Sequence, residues 1–207
     1  MKMTNLHNLI AYRRWAPVYD ATVNRIFTSG RKRALPLLNL QPGENVLIVG
    51  VGTGADFPFL PAGVHATGID LSPDMLSKAR LKLPACRATV ELIQGDAQIL
   101  LVPKNSYDAA ILNLILSVVP DSRACLQSTL RAVKPGGRLV IFDKFQPDNE
   151  NVTPGRRFMN FFSTRLGTDI TRRFSDMLAG CSCQILHDEP SLLGGMYRVI
   201  LLRKEGE

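Results

Sequence analysis

The sequence predicts an α/β fold, a largely parallel β-sheet flanked by helices. Three observations predict it. Between residues 44 and 145, short strand-forming runs alternate with helical stretches, the pattern of parallel strands joined by crossovers. The run Tyr107–Leu112 is almost continuously apolar, as a strand covered on both faces reads. A length of 207 residues with 45% apolar and 21% charged side chains suits one well-filled core.

The elements follow in order. Leu6, Leu9, Ile10 and Arg13 form a short amphipathic stretch that Pro17 breaks. Val18, Thr22, Val23, Ile26 and Phe27 recur at helical spacing until Ser29–Gly30, a stop signal. A further helix is expected from Arg31 to about Leu40, before Gln41-Pro42-Gly43. Asn45–Val49 is a strand ending at glycines, and Val64–Asp70 is a second. Ser72-Pro73 is an N-cap with proline at the first helical position, so Asp74–Leu83 is a helix. Thr89–Gln94 and Tyr107–Leu112 are strands, Cys125–Val133 a helix, and Arg138–Asp143 a fifth strand after Lys134-Pro135-Gly136-Gly137. Asp148–Gly180 is rich in arginine and poor in strand formers, so it reads as a mostly helical insertion. Cys183–Asp188 and Tyr197–Arg203, joined by a Gly194–Gly195 turn, read as an antiparallel pair at the sheet edge.

Charge is distributed unevenly. Residues 1–39 carry seven basic side chains against the single acid Asp20, a net of +6, while the whole chain carries +7. Such a segment fits an anionic surface, whether phospholipid, nucleic acid or an acidic substrate, or else a solvated helix face. The longest near-apolar run, Ala109–Val119, is 11 residues, well short of the about 20 that a membrane-spanning helix needs. Cys86, Cys125, Cys181 and Cys183 lack the spacing of a zinc site, so no metal centre is expected. Met1-Lys2-Met3 leads into polar residues and not into a secretory signal. These features point to a reducing, cytoplasmic setting.

The densest signal is Val46-Leu47-Ile48-Val49-Gly50-Val51-Gly52-Thr53-Gly54, a strand running into G-x-G-x-G. Glycines there let the chain turn tightly and let a ligand rest on the backbone. Asp70 ends the next strand, 20 residues after Gly50, where a carboxylate can accept from both hydroxyls of a ribose. A dinucleotide site would require G-x-G-x-x-G and a helix N-terminus facing a pyrophosphate. Here the third glycine comes one residue early and Asp56 follows, a poor neighbour for pyrophosphate but tolerable beside a cationic sulfonium.

Together these residues resemble the class I S-adenosylmethionine-dependent methyltransferases. Gly50, Val51, Gly52, Thr53 and Gly54 match the first motif; Gly68-Ile69-Asp70-Leu71-Ser72-Pro73 matches the second; Gly95-Asp96-Ala97 matches the third. Tyr107–Asn113 is similar to strand 4, and Pro135-Gly136-Gly137-Arg138-Leu139 to the turn into strand 5. The resemblance implies a Rossmann-like seven-stranded sheet of order 3-2-1-4-5-7-6 with the last strand antiparallel. It implies S-adenosyl-L-methionine as cofactor, with ribose at Asp70 and Leu71, adenine at Asp96 and Ala97, and Asn113 beside the transferred methyl. It also implies one methyltransferase domain over 1–207: an N-terminal helical cap (1–40), a cofactor-binding core (41–145), a lid insertion (146–180) and closing strands (181–207). One position departs. The family places Asp or Glu two residues before the first glycine, and here stands Ile48. Another group, Tyr19 or a loop carbonyl, must then anchor the cofactor's amino group; otherwise binding is weak or the cofactor is used differently.

The run Tyr12-Arg13-Arg14-Trp15-Ala16-Pro17-Val18-Tyr19-Asp20 resembles the branch holding ubiquinone and menaquinone C-methyltransferases and small bacterial phosphatidylethanolamine N-methyltransferases. That resemblance places Tyr19 near the methionine end. If the substrate is an amine, Tyr12, Tyr19 and Asp20 are the candidates for assisting its proton loss, by side-chain type and not by spacing. A basic segment mixed with Leu9, Ile10, Tyr12 and Trp15 suits peripheral contact with an anionic membrane, although Trp15 also suits a core. Arg156, Arg157, Arg165, Arg172 and Arg173 fall in the insertion, where guanidinium forks would meet phosphate oxygens or pair with nearby acids. The expected acceptor is a membrane lipid, a phosphatidylethanolamine-type amine ahead of a quinone ring. A soluble small molecule and a non-catalytic, cofactor-sensing role are the alternatives. Nucleic acid is disfavoured, because Asn113-Leu114-Ile115-Leu116 lacks the Asn/Asp-Pro-Pro-aromatic signature of amino-directed nucleic-acid enzymes.

Overall fold

The computed structural model describes residues 24–147, 160 and 168–206. Helix α1 spans Asn24–Leu37, then β1 Asn45–Val49, β2 His65–Asp70, α2 Pro73–Lys82, β3 Thr89–Gln94, β4 Tyr107–Asn113 and α3 Ser122–Ala132. Strand β5 is Val133–Lys144, α4 is Phe174–Leu178, β6 is Cys183–Pro190 and β7 is Tyr197–Lys204. The seven strands form one sheet of order β3-β2-β1-β4-β5-β7-β6. Neighbours from β3 through β5 are parallel, and β7 runs antiparallel to both β5 and β6. This is the order the resemblance implied.

Both faces of the sheet are covered, which explains the apolar strands. Leu47, Val49, Ala110, Leu112, Leu139 and Ile141 point to one side, with Cys125, Leu126 and Leu130 of α3 and Phe174 and Met177 of α4. Val46, Ile48, Ala109, Ile111, Val140 and Phe142 point to the other, with Ala34 and Leu35 of α1 and Leu76 and Ala79 of α2. Alternation of side chains along each strand therefore feeds two cores from one sheet.

Local chemistry sets the helix starts. The Ser72 hydroxyl accepts from the Met75 amide at 3.3 Å, with Pro73 in the first turn. The Asp121 carboxylate accepts from the Ala124 amide at 2.9 Å, so α3 begins three residues earlier than its apolar pattern indicated. Ser29–Gly30 does not end a helix. Helix α1 runs through it and carries Pro36 in its last turn. Gly30 is buried against Phe142, where a Cβ would lie 2.1 Å from the ring. It is therefore a close-packing glycine and not a terminator. Strand β5 also starts before Arg138, because Val133 pairs with Tyr107 ahead of the Lys134–Gly137 turn, and the register shifts there. Of the expected helical insertion, α4 is the helix seen among the described residues 168–180.

Candidate functional site

The carboxyl ends of the parallel strands frame a cleft, as open α/β sheets do where strand order reverses. It takes in about 910 Å³ outside the protein atoms, open mouth included. Strand order fixes its layout. Asp96 and Ala97 follow β3, Asp70 ends β2, the glycine loop follows β1, and Asn113 ends β4; all of them line the cleft.

Between Gly50 and Gly54 the chain turns three times through left-handed backbone, with φ of 71°, 54° and 75° at Gly50, Gly52 and Gly54. These are angles that L side chains adopt only with strain. The three glycines have different surroundings. A Cβ on Gly50 would strike Ile115 at 2.5 Å and one on Gly54 would strike Phe57 at 2.4 Å, whereas one on Gly52 would come no closer than 4.0 Å to its nearest neighbour. Gly52 is thus the point at which a ligand can approach the main chain. After the loop comes a single 3-10 turn, Phe57–Phe59, where the dinucleotide alternative would have required an α-helix.

Asp70 holds the loop from the side. One carboxylate oxygen accepts from the Gly52 amide at 2.8 Å and the other from the Ser72 amide at 2.9 Å. Burial pushes its carboxyl above the usual carboxylate range, with the amides of Ser72, Gly52 and Leu71 opposing the shift. Leu71, Thr53 and Val51 complete this wall. Asp96 accepts from the Gln98 amide at 2.9 Å and from the Gln98 side chain at 3.0 Å, which fixes the turn after β3.

At the β1–β4 end lies a polar group that the sequence reading did not assemble. Arg31, Asp56 and Asn113 are 6%, 4% and 5% exposed, and all three line the cleft. Arg31 Nε donates to Asp56 Oδ1 at 3.0 Å, and Asn113 Nδ2 donates to the same oxygen at 2.8 Å. Asn113 was expected here. Arg31 was read as part of the basic surface, yet its spacing from Phe27, Ala34 and Leu35 places it on the inward stripe of α1. That periodicity was the available signal. Ile48, 1% exposed, lies in the core on the α1 side, with no carboxylate at that position.

The arginines of the insertion separate. Arg172 donates to the carbonyls of Leu116, Val119 (2.6 Å) and Pro120 (3.2 Å) and pairs with Asp169 at 3.5 Å. Its fork is therefore committed to the loop after β4, a different task from the phosphate contact that the sequence suggested. Arg173 precedes α4 at the N-cap position, without a capping bond from its side chain, and bridges Gln146 through its backbone. Tyr12, Tyr19, Asp20, Arg156, Arg157 and Arg165 lie outside the described residues.

With this geometry in view, residues 47–141 match the methyltransferase-domain family. This segment carries a methyltransferase domain of the kind that uses S-adenosylmethionine. It is 29% identical over 196 residues to a phosphatidylethanolamine N-methyltransferase of Cereibacter sphaeroides, covering 94% of this chain and 96% of that one. It is 37% identical over 144 residues to a demethylmenaquinone methyltransferase of Listeria welshimeri, covering 64% of this chain and 60% of that one. Its fold matches a chain from the complex of the Haloferax volcanii Trm112 methyltransferase activator with a methyltransferase, at a TM-score of 0.77 and 15% identity, over 97% of this chain and 98% of that one. The cofactor of this methyltransferase is S-adenosylmethionine. The cleft suits it, with a backbone approach at Gly52, a carboxylate at Asp70 and polar groups at the far end.

Proposed function

We propose that this methyltransferase acts on a membrane lipid, the headgroup amine of a phosphatidylethanolamine-type phospholipid. The observation that carries the reading is the likeness to the Cereibacter sphaeroides phosphatidylethanolamine N-methyltransferase along nearly the full length of both chains. The basic and aromatic character of residues 1–39 supports it, since such a segment is drawn to anionic lipid and enters the headgroup boundary. No helix among the described residues is long and apolar enough to cross a membrane. In this reading contact is peripheral, at the cytoplasmic face.

The bound cofactor supplies a methyl group on a cationic sulfur, which departs as a neutral thioether. The protein's share is placement and exclusion of water. Asp70, with Gly52 and Leu71 beside it, would take the ribose; Asp96 and Ala97 would take the adenine. Asn113, at the end of β4, would lie beside the methyl to be transferred. A phospholipid amine reaches the site as an ammonium and must lose a proton before its lone pair can form the new C–N bond. Tyr12, Tyr19 and Asp20 are the groups proposed to receive or relay that proton, and Arg156, Arg157, Arg165 and Arg173 to meet the phosphate.

A second reading, methylation of a quinone ring carbon, is favoured by the 37% identity to demethylmenaquinone methyltransferase. One incubation separates the two: purified protein, methyl-labelled S-adenosylmethionine, and vesicles of bacterial polar lipid doped with a demethylated quinone. Label in an amine phospholipid supports the proposal. Label only in the quinone selects the second reading. No label in any lipid, with cofactor binding intact by calorimetry, refutes both and leaves a soluble acceptor or a sensing role.

A further inference from the structure

We propose that Arg31, Asp56 and Asn113 form the seat for the α-amino-acid end of the cofactor, doing the work of the strand-end acid that Ile48 replaces. The inference rests on the cofactor and not on the lipid acceptor. Two buried polar side chains, Arg31 and Asn113, converge on one carboxylate oxygen, Asp56 Oδ1. Two polar atoms of the group are left over. Arg31 Nη1 and Asn113 Oδ1 are buried and make no hydrogen bond among the described residues. An unmatched donor on a buried guanidinium and an unmatched buried amide oxygen are costly, and both belong to residues that line the cleft. The group offers a cationic donor at one point and neutral and anionic acceptors at another. Arg31 and Asp56 cancel in charge, so the matching ligand is a zwitterion. Its carboxylate would accept from Arg31 Nη1, and its ammonium would donate to Asn113 Oδ1 and to Asp56.

Position along the sheet identifies which zwitterion. With base and ribose at the ends of β3 and β2, a ligand lying across the strand ends brings its remaining portion to β1 and β4. In S-adenosylmethionine that portion is an α-amino acid. The triad also explains how Ile48 is tolerated. The charge has moved from β1 to Asp56, six residues beyond Gly50, where a helix-borne arginine holds it in place.

The test is binding by calorimetry, with no acceptor present. S-adenosylhomocysteine carries the amino-acid end; 5′-methylthioadenosine has the same adenosine and thioether without it; decarboxylated S-adenosylhomocysteine lacks only the carboxylate. Arg31→Gln keeps a donor for Asp56 and removes the charge. The expected result is a loss of 10- to 100-fold in S-adenosylhomocysteine affinity, the scale of a charge-assisted hydrogen bond, with 5′-methylthioadenosine changed less than about twofold. Wild-type protein, whose folding is not in question, is expected to bind S-adenosylhomocysteine at least about tenfold more tightly than its decarboxylated analogue. Equal loss for both ligands in Arg31→Gln would mean that Arg31 only props the loop, and would overturn the proposal. So would unchanged S-adenosylhomocysteine binding in the variant, or equal wild-type affinity for the two homocysteine analogues. None of these results touches the lipid reading, which the vesicle experiment decides separately.

Discussion

Replacing Gly30 by alanine separates two accounts of that glycine by the sign of the effect. If Gly30 were an idle position within the helix, alanine would stabilise α1 by about 1 kcal/mol, the propensity difference in a helix interior. The structure predicts the opposite. The new methyl would lie 2.1 Å from Phe142 Cζ, and ordinary contact begins near 3.4 Å, so the ring or the helix must shift by about 1.3 Å. Phe142 is fully buried, and Phe27 and Tyr197 hold its ring with centroids 6.0 and 5.7 Å away. Overpacking of this kind costs about 2–3 kcal/mol, which leaves a net loss of roughly 1–2 kcal/mol after the propensity gain. For a chain of this size the melting temperature should fall by roughly 3–6 °C. Thermal melts of wild type, Gly30→Ala, Phe142→Leu and the double variant form the assay. Gly30→Ala should be better tolerated once the ring is gone, with a coupling of about 1 kcal/mol. A higher melting temperature for Gly30→Ala, or no coupling to Phe142→Leu, would refute the close-packing argument.

Three further outcomes are expected. Asp70→Asn should weaken S-adenosylhomocysteine binding by roughly 10- to 100-fold and lower the melting temperature too, because the amide keeps one acceptor oxygen where the carboxylate accepts from both the Gly52 and Ser72 amides; an unchanged isotherm would remove Asp70 from the ribose site. Arg172→Ala should lower stability by about 2–3 kcal/mol, because three carbonyls of the loop after β4 lose a charged donor. It should leave vesicle co-sedimentation per folded molecule unchanged, and a drop there would restore the phosphate role. Burial pushes the Asp108 carboxyl up, but hydrogen bonds from Lys134 at 2.6 Å and from the Asn45 amide, with the nearby charges of Lys134 and Arg138, together hold it below its usual range. A depressed folded-state value stabilises above the unfolded value of about 3.9 and is lost as pH falls through the folded one. The stability gap between wild type and Lys134→Met, under about 1 kcal/mol for so exposed a pair, should therefore hold at neutral pH and close below about pH 4 in urea titrations. A gap that widened in acid would contradict that sign.

Much of this methyltransferase is legible in its primary structure because the responsible physics is local. The strand at Asn45–Val49, the Ser72-Pro73 cap and the turn at Gly194–Gly195 depend on neighbours a few residues away. The same holds for the glycine loop and Asp70, whose places at the ends of β1 and β2 follow from the strands that precede them. Sheet order was not contained in alternation alone and came from the resemblance. The errors fall where a distant partner decides. Ser29–Gly30 has the local form of a stop, but the helix continues because burial against Phe142, 112 residues away, requires a glycine there. Arg31 belongs by composition to a basic arm, and only the fold carries it inward to Asp56, 25 residues along the chain. Arg172 looked free for phosphate until the loop after β4 claimed its donors. Residue type and spacing determined which elements form and that the glycine loop and Asp70 stand at neighbouring strand ends. Which buried charges face one another was settled only when helix, loop and strand end were packed together, because the energy of a buried charge depends on its neighbours in space, wherever they lie in the chain.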